Sequence, residues 1–295
     1  MTQRIRLRGS ELELSRTVLM GIVNATPDSF SDRQGPKDAD ELVACALALL
    51  DDGAAIVDVG GESGRTDTDA VPVEEEIARV VPLVERLSAE GALVSVDTWR
   101  APVARAALEV GAAMINDVSG LADDSIAVAC AETGAALVIT HTRSAPKTKA
   151  FPDYDDVVLD AHGFLEQRLR AAEALGVAPE QIVLDPGIDL AKTPAQSVEL
   201  LRRLPELASL GRPLLLAVSR KDFVGALTDR PPAGRDAGTL AAVGAAVRGG
   251  ARIIRVHDVT GARDYLRVHD ALVNGTDSAL ELAAELRREA VWARD

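Results

Sequence analysis

The chain has 295 residues, 47% hydrophobic and only 3% aromatic, and its 46 acidic against 32 basic side chains leave a net charge of −14. That length and apolar content fit one α/β domain over residues 1–295 better than two small ones. An acidic chain poor in stacking rings is badly suited to nucleic acid or an anionic membrane surface, so an anionic ligand would have to be met by a local basic cluster.

Residues 4–14, Arg4-Ile5-Arg6-Leu7-Arg8-Gly9-Ser10-Glu11-Leu12-Glu13-Leu14, alternate on both sides of a Gly-Ser turn and predict a hairpin within 1–16. Eight strand–helix units follow. The strands are expected at 18–24, 55–61, 93–98, 113–120, 136–142, 182–187, 213–221 and 252–258. The helices are expected at 38–52, 73–89, up to 110, 123–133, 154–175, 194–210, 237–248 and 262–273, with a polar helical tail over 274–295. The strands read as continuous Val/Ile/Leu runs, the pattern of parallel strands covered on both faces, and the segments between them are long enough for right-handed crossovers. The predicted fold is a (β/α)8 TIM barrel with the hairpin at the barrel bottom. Two longer loops, 26–36 and 63–72, are rich in Gly, Pro, Asp and Ser and fall on the strand-end face, where such loops act as lids. Cys45 and Cys130 sit in helical patterns and read as buried thiols of a reducing compartment. No apolar run reaches membrane-spanning length and no signal peptide is visible, so the expected location is cytoplasmic.

Each predicted strand ends in a polar residue: Asn24, Asp58, Asp97, Asn116, His141, Asp185, Lys221, and Arg255 with His257. A TIM barrel brings these ends to one face. Asp97, Asn116, Asp185 and Lys221 combine acceptors, an amide and a cation, which suits a flat, donor-rich heterocycle such as a pterin or guanine. The alternative is that Asp97 and Asp185 belong to structural ion pairs. Arg255 and His257 are two apart and share one side of their strand, next to Asn24 once the barrel closes; with Arg65 they make a candidate anion site. The alternative there is that Arg255 pairs with a nearby Asp and His257 packs quietly. A transition-metal site from Asp97, His141, Asp185 and His257 has no supporting spacing. A lone barrel lysine such as Lys221 is more often a substrate contact than a Schiff base. His162 and His269 fall within helices and read as surface or packing residues.

Seven segments in order carry a resemblance. They are 21–32 (Gly21 to Asp32, including Asn24 and Phe30), Asp58-Val59-Gly60-Gly61-Glu62-Ser63, Ser95-Val96-Asp97-Thr98, Ile115-Asn116-Asp117, Asp185-Pro186-Gly187, Ser219-Arg220-Lys221 and Arg255-Val256-His257-Asp258. Over nearly its full length the chain resembles the dihydropteroate synthase family. The resemblance implies a transferase of folate synthesis that joins 6-hydroxymethyl-7,8-dihydropterin diphosphate to 4-aminobenzoate with Mg2+ on the diphosphate. It also implies a homodimer, formed through outer helices such as that near 238–248, and a target of sulfonamides. Carried over in this way, Asp97, Asn116, Asp185 and Lys221 hold the pterin. Asn24, Arg65, Arg255 and His257 hold the diphosphate, with Asn24 near the metal. Phe30, Thr66, Leu190 and Ser219 shape the aminobenzoate site. Asp97, Lys221, Arg255 and His257 are the implied catalytic set.

The chain departs from the family pattern beside these positions. Arg33-Gln34 replaces Gly-Gly, and Ser63-Gly64-Arg65-Thr66-Asp67 replaces Ser-Thr-Arg-Pro-Gly. Thr140-His141-Thr142 replaces Met-His-Met, Ile188-Asp189-Leu190-Ala191 replaces aromatic and glycine residues ahead of Lys192, and Ala217 replaces a glycine. The polar contacts implied for pterin and diphosphate are intact, whereas the arylamine side differs. Two other readings remain: a non-catalytic or altered-specificity pterin-binding paralogue, and a pterin-dependent methyltransferase. The second has no need of Ser219-Arg220-Lys221 or of Arg255 with His257.

Overall fold

The structure, a computed structural model, describes residues 3–26, 38–64 and 68–276, with 280, 282 and 286 beyond them. Its first element is the expected hairpin: β1 (Gln3–Leu7) pairs antiparallel with β2 (Ser10–Leu14) across Gly9, whose φ of +70° suits glycine. Eight parallel strands then close into a barrel: β3 (Val18–Asn24), β4 (Ile56–Gly60), β5 (Val94–Asp97), β6 (Met114–Asp117), β7 (Ala136–Thr140), β8 (Ile182–Asp185), β9 (Leu214–Ala217) and β10 (Ala251–Val256). β10 pairs with both β9 and β3, which closes the ring. The outer helices are α1 (Ala39–Asp51), α2 (Val73–Ala89), α3 (Ala101–Glu109), α4 (Ser125–Thr133), α5 (Val157–Ala174), α6 (Pro194–Arg202), α7 (Leu204–Ala208), α8 (Asp222–Thr228), α9 (Asp236–Arg248) and α10 (Val259–Asn274).

Two apolar clusters divide the interior. The larger lies between the strands and the helix ring and includes Val57, Val59, Val94, Val96, Leu137 and Ile139. The smaller fills the barrel itself with Met20, Ile56, Met114, Val138, Val183, Leu215 and Ile253, closed below by Ile5, Leu7 and Leu14 of the hairpin. The hairpin is therefore a plug at the barrel bottom, as expected.

Several boundaries differ from the sequence expectation. The helix expected over 194–210 is two helices broken at Arg203, because Pro205 has no N–H to donate and its ring crowds the carbonyl four residues back. The strand expected over 113–120 stops at Asp117, whose carboxylate accepts the N–H groups of Ser119 (2.8 Å) and Leu121 (2.7 Å) and turns the chain. The strand expected over 213–221 stops at Ala217, and a short helix not foreseen, α8, follows Lys221. Cys130 is buried with its thiol pushed up to about 12 by burial, while Cys45 is only half-buried. Apart from residues 280, 282 and 286, the tail from 277 lies outside the described residues.

Candidate active site

Strand periodicity carries the chain from the apolar barrel floor to a polar mouth. Residues two apart face the same way. Met20 leads to Asn24 through Ile22, Ile56 to Asp58, Met114 to Asn116, Val138 to Thr140, Val183 to Asp185, Leu215 to Ala217 and Ser219, and Ile253 to Arg255 and His257. Ser95 and Asp97 point inward because Val94 and Val96 belong to the outer cluster. A cavity of about 770 Å³ opens on this face; Asn24, Asp97, Asn116, Asp185, Lys221, Arg255 and His257 all line it.

Arg255 is the hub of the mouth. Its Nε donates to Asp58 Oδ2 at 2.6 Å and its Nη2 to Asp97 Oδ2 at 2.9 Å. Asn116 Nδ2 donates to the same Asp58 oxygen at 3.1 Å. Burial pushes Asp97 up to about 7; Arg255 pulls it down, and the nearby Asp58 and Glu76 charges raise it further. Burial works against the charge on Arg255, but the Asp58 and Asp97 carboxylates outweigh it and hold the guanidinium above its ordinary value. Two carboxylates thus share one guanidinium. Asp58, fully buried, received no role from sequence; here it is the counter-ion at the base of the site.

Asp185 is 5% exposed, and burial raises its pKa against the Gly187 N–H, which donates to Oδ1 at 2.7 Å. Ser219 Oγ bonds His257 twice, at 3.3 Å to its backbone N–H and 2.9 Å to Nδ1, which fixes the imidazole at the rim. The turn carrying Lys221 is held from outside. Arg235 Nη1 donates to the carbonyls of Arg220 (2.9 Å) and Lys221 (3.1 Å), and its guanidinium lies where a side chain on Gly225 would stand.

His141 does not join this group. It is buried, and its Nε2 bonds Asp160 on α5 at 2.9 Å while burial pulls it down to about 3. Phe30, Arg65 and Thr66 lie outside the described residues; Leu190 lines the cavity. Sequence reasoning missed one whole wall, the connection from β7 to α5, of which residues 142 and 144–151 line the cavity. Its length between a predicted strand and helix was the available signal. Lys147 ties it to the second loop, donating to Ser63 O (3.0 Å) and Thr68 Oγ1 (2.7 Å). That loop is also anchored below, where Arg100 pairs with Glu62 (2.8 Å) and Glu76.

The donor set indicates what the mouth accepts. Asp58 Oδ1, Asn116 Oδ1, Ser95 Oγ and Thr140 Oγ1 are buried without a hydrogen-bond partner. Orphaned buried acceptors are costly, and of these residues Asn116 lines the cavity, where a donor-rich ligand would relieve it. No three His, Cys, Asp or Glu side chains among the described residues stand together as a metal site. Asn24 contributes one neutral amide oxygen at the cavity edge, beside Gly60. That is a fit for Mg2+ held mainly by ligand phosphates and water, and a poor one for a zinc-type centre.

The family described as "Pterin binding enzyme" matches residues 20–257. A dihydropteroate synthase of Synechocystis is 42% identical over 261 residues, 87% of this chain and 90% of that protein. Among solved structures, dihydropteroate synthase of Xanthomonas albilineans with 4-aminobenzoic acid is 43% identical, with a TM-score of 0.86 over 92% of this chain and 98% of that one. The Burkholderia cenocepacia dihydropteroate synthase complexed with 7,8-dihydropteroate is 37% identical, with a TM-score of 0.84 over 92% and 97%.

Removing the hub should expose the cost of the buried carboxylate. Arg255→Met leaves Asp58 without its cation and should lower unfolding free energy by about 3–5 kcal/mol. Adding Asp58→Asn should recover a large part of that loss in urea denaturation. Additive losses would mean that the pair is not coupled.

Proposed function

The chain belongs to the dihydropteroate synthase family, and we propose that the Arg255-centred mouth joins 6-hydroxymethyl-7,8-dihydropterin diphosphate to 4-aminobenzoate, giving 7,8-dihydropteroate and diphosphate. It is a transferase of the dihydropteroate synthase type. The observation that carries the assignment of residues is that the acceptors Asp97, Asn116 and Asp185 line one cavity together with Arg255 and His257, with Asn116 and Asp185 buried and Asp97 bonded to Arg255. In this reading Asp185 and Asn116 accept the N–H edge of the pterin, and Lys221 donates to a ring acceptor. Asn24, Arg255 and His257 meet the diphosphate, together with Arg65 outside the described residues. Phe30, Thr66, Leu190 and Ser219 border the arylamine.

The chemistry follows from charge. The C–O bond to diphosphate breaks, its electron pair leaves with the diphosphate, and the cation on the pterin methylene is taken by the neutral aromatic amine, which then loses a proton. Arg255 and His257 stabilise the charge growing on the leaving oxygen. The Asp97 carboxylate favours the cation electrostatically. Bound Mg2+, with Asn24 as its one protein oxygen, would supply further neutralisation of the diphosphate. Walls over the mouth exclude water that would otherwise capture the cation.

Assembly and location belong to the same proposal. An apolar groove of about 560 Å³ runs between α6, α8 and α9, lined by Leu201, Phe223, Leu227, Ala241 and Ala245, with Leu227 72% exposed. Its small residues allow close approach of a second copy, in a homodimer. A cytoplasmic location belongs to the same reading and is tested by cell fractionation; among the described residues no helix is long and apolar enough to cross a membrane.

A diphosphate-release assay tests the function: release should require 4-aminobenzoate and stop on chelation of Mg2+, and Asp185→Asn should abolish pterin binding. Pterin binding without release would make the chain a binding paralogue. The Asp97 shift sets a pH dependence. Below about 7 the carboxyl is protonated and loses acceptor capacity; above it the carboxylate is ready. Affinity for a diphosphate-free pterin should therefore rise from pH 6 to 8 by calorimetry, and Asp97→Asn should flatten the profile. Light scattering should give a dimer for the parent chain and a monomer for Leu227→Arg; an unchanged mass would move the interface elsewhere.

A further inference from the structure

The cavity wall between β8 and α6 has a backbone that L side chains avoid. Gly187, Asp189 and Ala191 have φ of +69°, +63° and +51°. Two of the three carry a Cβ and are strained there. A Cβ at Gly187 would run into the His141 carbonyl oxygen. Such a backbone persists only where its surroundings over-determine it.

Two polar side chains do so here. Lys192 is 1% exposed, and its ammonium donates to the carbonyls of His141 (3.1 Å), Gly187 (2.9 Å) and Leu190 (2.9 Å), so all three protons are used. Burial pulls Lys192 down to about 7, while the Asp185, Asp160 and Asp189 carboxylates favour its charge. Asp189 works in the other direction, outward to the neighbouring elements. Its Oδ1 accepts Ser197 Oγ of α6 at 2.8 Å, and its Oδ2 accepts the N–H of Asp222, the first residue of α8. Ser197 Oγ in turn accepts the Asp189 N–H at 3.1 Å. Tyr154 OH donates to the Ala191 carbonyl at 3.0 Å. The wall is thus tied to β7, to α6 and to the turn that ends in Lys221.

We propose that Asp189, on a wall that Lys192 also braces, is a positioning residue that fixes the 187–191 wall relative to the Ser219–Lys221 turn, and so sets the affinity for the arylamine substrate. The inference rests on the assignment of the mouth as a dihydropteroate synthase site. Leu190 is the wall residue placed against the arylamine in that assignment, while both oxygens of Asp189 are taken up by Ser197 and Asp222. Asp189 therefore acts through the wall.

Steady-state kinetics on two variants test it, with thermal melts alongside. Asp189→Gly removes both carboxylate bonds, to Ser197 and to Asp222, but suits the positive φ, so the fold is spared. Ser197→Ala removes the α6 anchor, both of its hydrogen bonds to Asp189, without changing a wall residue. The expected result is a rise in KM for 4-aminobenzoate of about tenfold for Asp189→Gly and about threefold for Ser197→Ala, with kcat within about twofold and KM for the pterin diphosphate unchanged. An unchanged 4-aminobenzoate KM in both variants overturns the proposal. An equal rise of both KM values also overturns it, because the anchors would then support the whole pocket. A parent enzyme that releases no diphosphate sinks the underlying site assignment, and the parent control separates that outcome from the other two.

Discussion

Everything at the barrel mouth is arranged around one guanidinium shared by two carboxylates. Arg255 comes from the last strand of the barrel, Asp58 and Asp97 from the second and third, and the contacts cross the opening rather than following neighbouring strands. Burying such a group is expensive unless each charge has a partner and the remaining lone pairs are met. Here the account is left open on the acceptor side. Asp58 Oδ1 and Asn116 Oδ1 have no partner among the described residues, and burial and neighbouring charge raise Asp97 to about 7. A mouth with too few donors destabilises the empty protein and prepares it for a ligand that brings them. Because Asp97 is raised, its cost to the folded state is absent at low pH and grows as pH rises toward about 7.

That cost is tolerable because the rest of the barrel is conventional. Below the polar ring, Met20, Ile56, Met114, Val183, Leu215 and Ile253 fill the barrel, and Ile5, Leu7 and Leu14 seal its lower end. Along each strand the inward positions pass from apolar to polar within two to four residues, so one periodicity serves both stability and chemistry. Rim segments are fixed by side-chain bonds to backbone: Asp117 to Leu121, Arg235 to Lys221, Lys147 to Ser63 and Lys192 to Leu190. These bonds let irregular loops stand at fixed positions without regular structure.

The sequence made some of this legible and hid the rest for physical reasons. Local patterns were readable: β3 and α2 have the expected ends. The convergence of Asn24, Asp97, Asn116, Asp185 and Arg255 followed from strand order alone. The partnership of Arg255 with Asp58 did not, because it joins residues 197 apart through tertiary closure. Lys192 was read only as a landmark in a motif, since no pattern announces an ammonium buried under three carbonyls. The break at Arg203 is hidden by apolar periodicity that runs on from 194 to 210, and the short helix after Lys221 falls between the strand expected to 221 and the helix expected from 237.

The choice of arginine at 255 follows from its donor count. Nε and Nη2 are engaged by Asp58 and Asp97, yet a guanidinium carries five N–H donors in a rigid plane. It can hold both carboxylates and still present donors to an anion at the cavity. A lysine offers three donors from a single rotating point, as Lys192 does, and engaging two carboxylates and a neighbouring anion would exhaust them. A planar fork also fixes the angle between its partners, so the group that would meet the diphosphate also orients the Asp97 carboxylate. Loss of Arg255 is therefore felt at the heterocycle end of the cavity as well as the anionic end, a coupling that an independent anion site on the rim would lack.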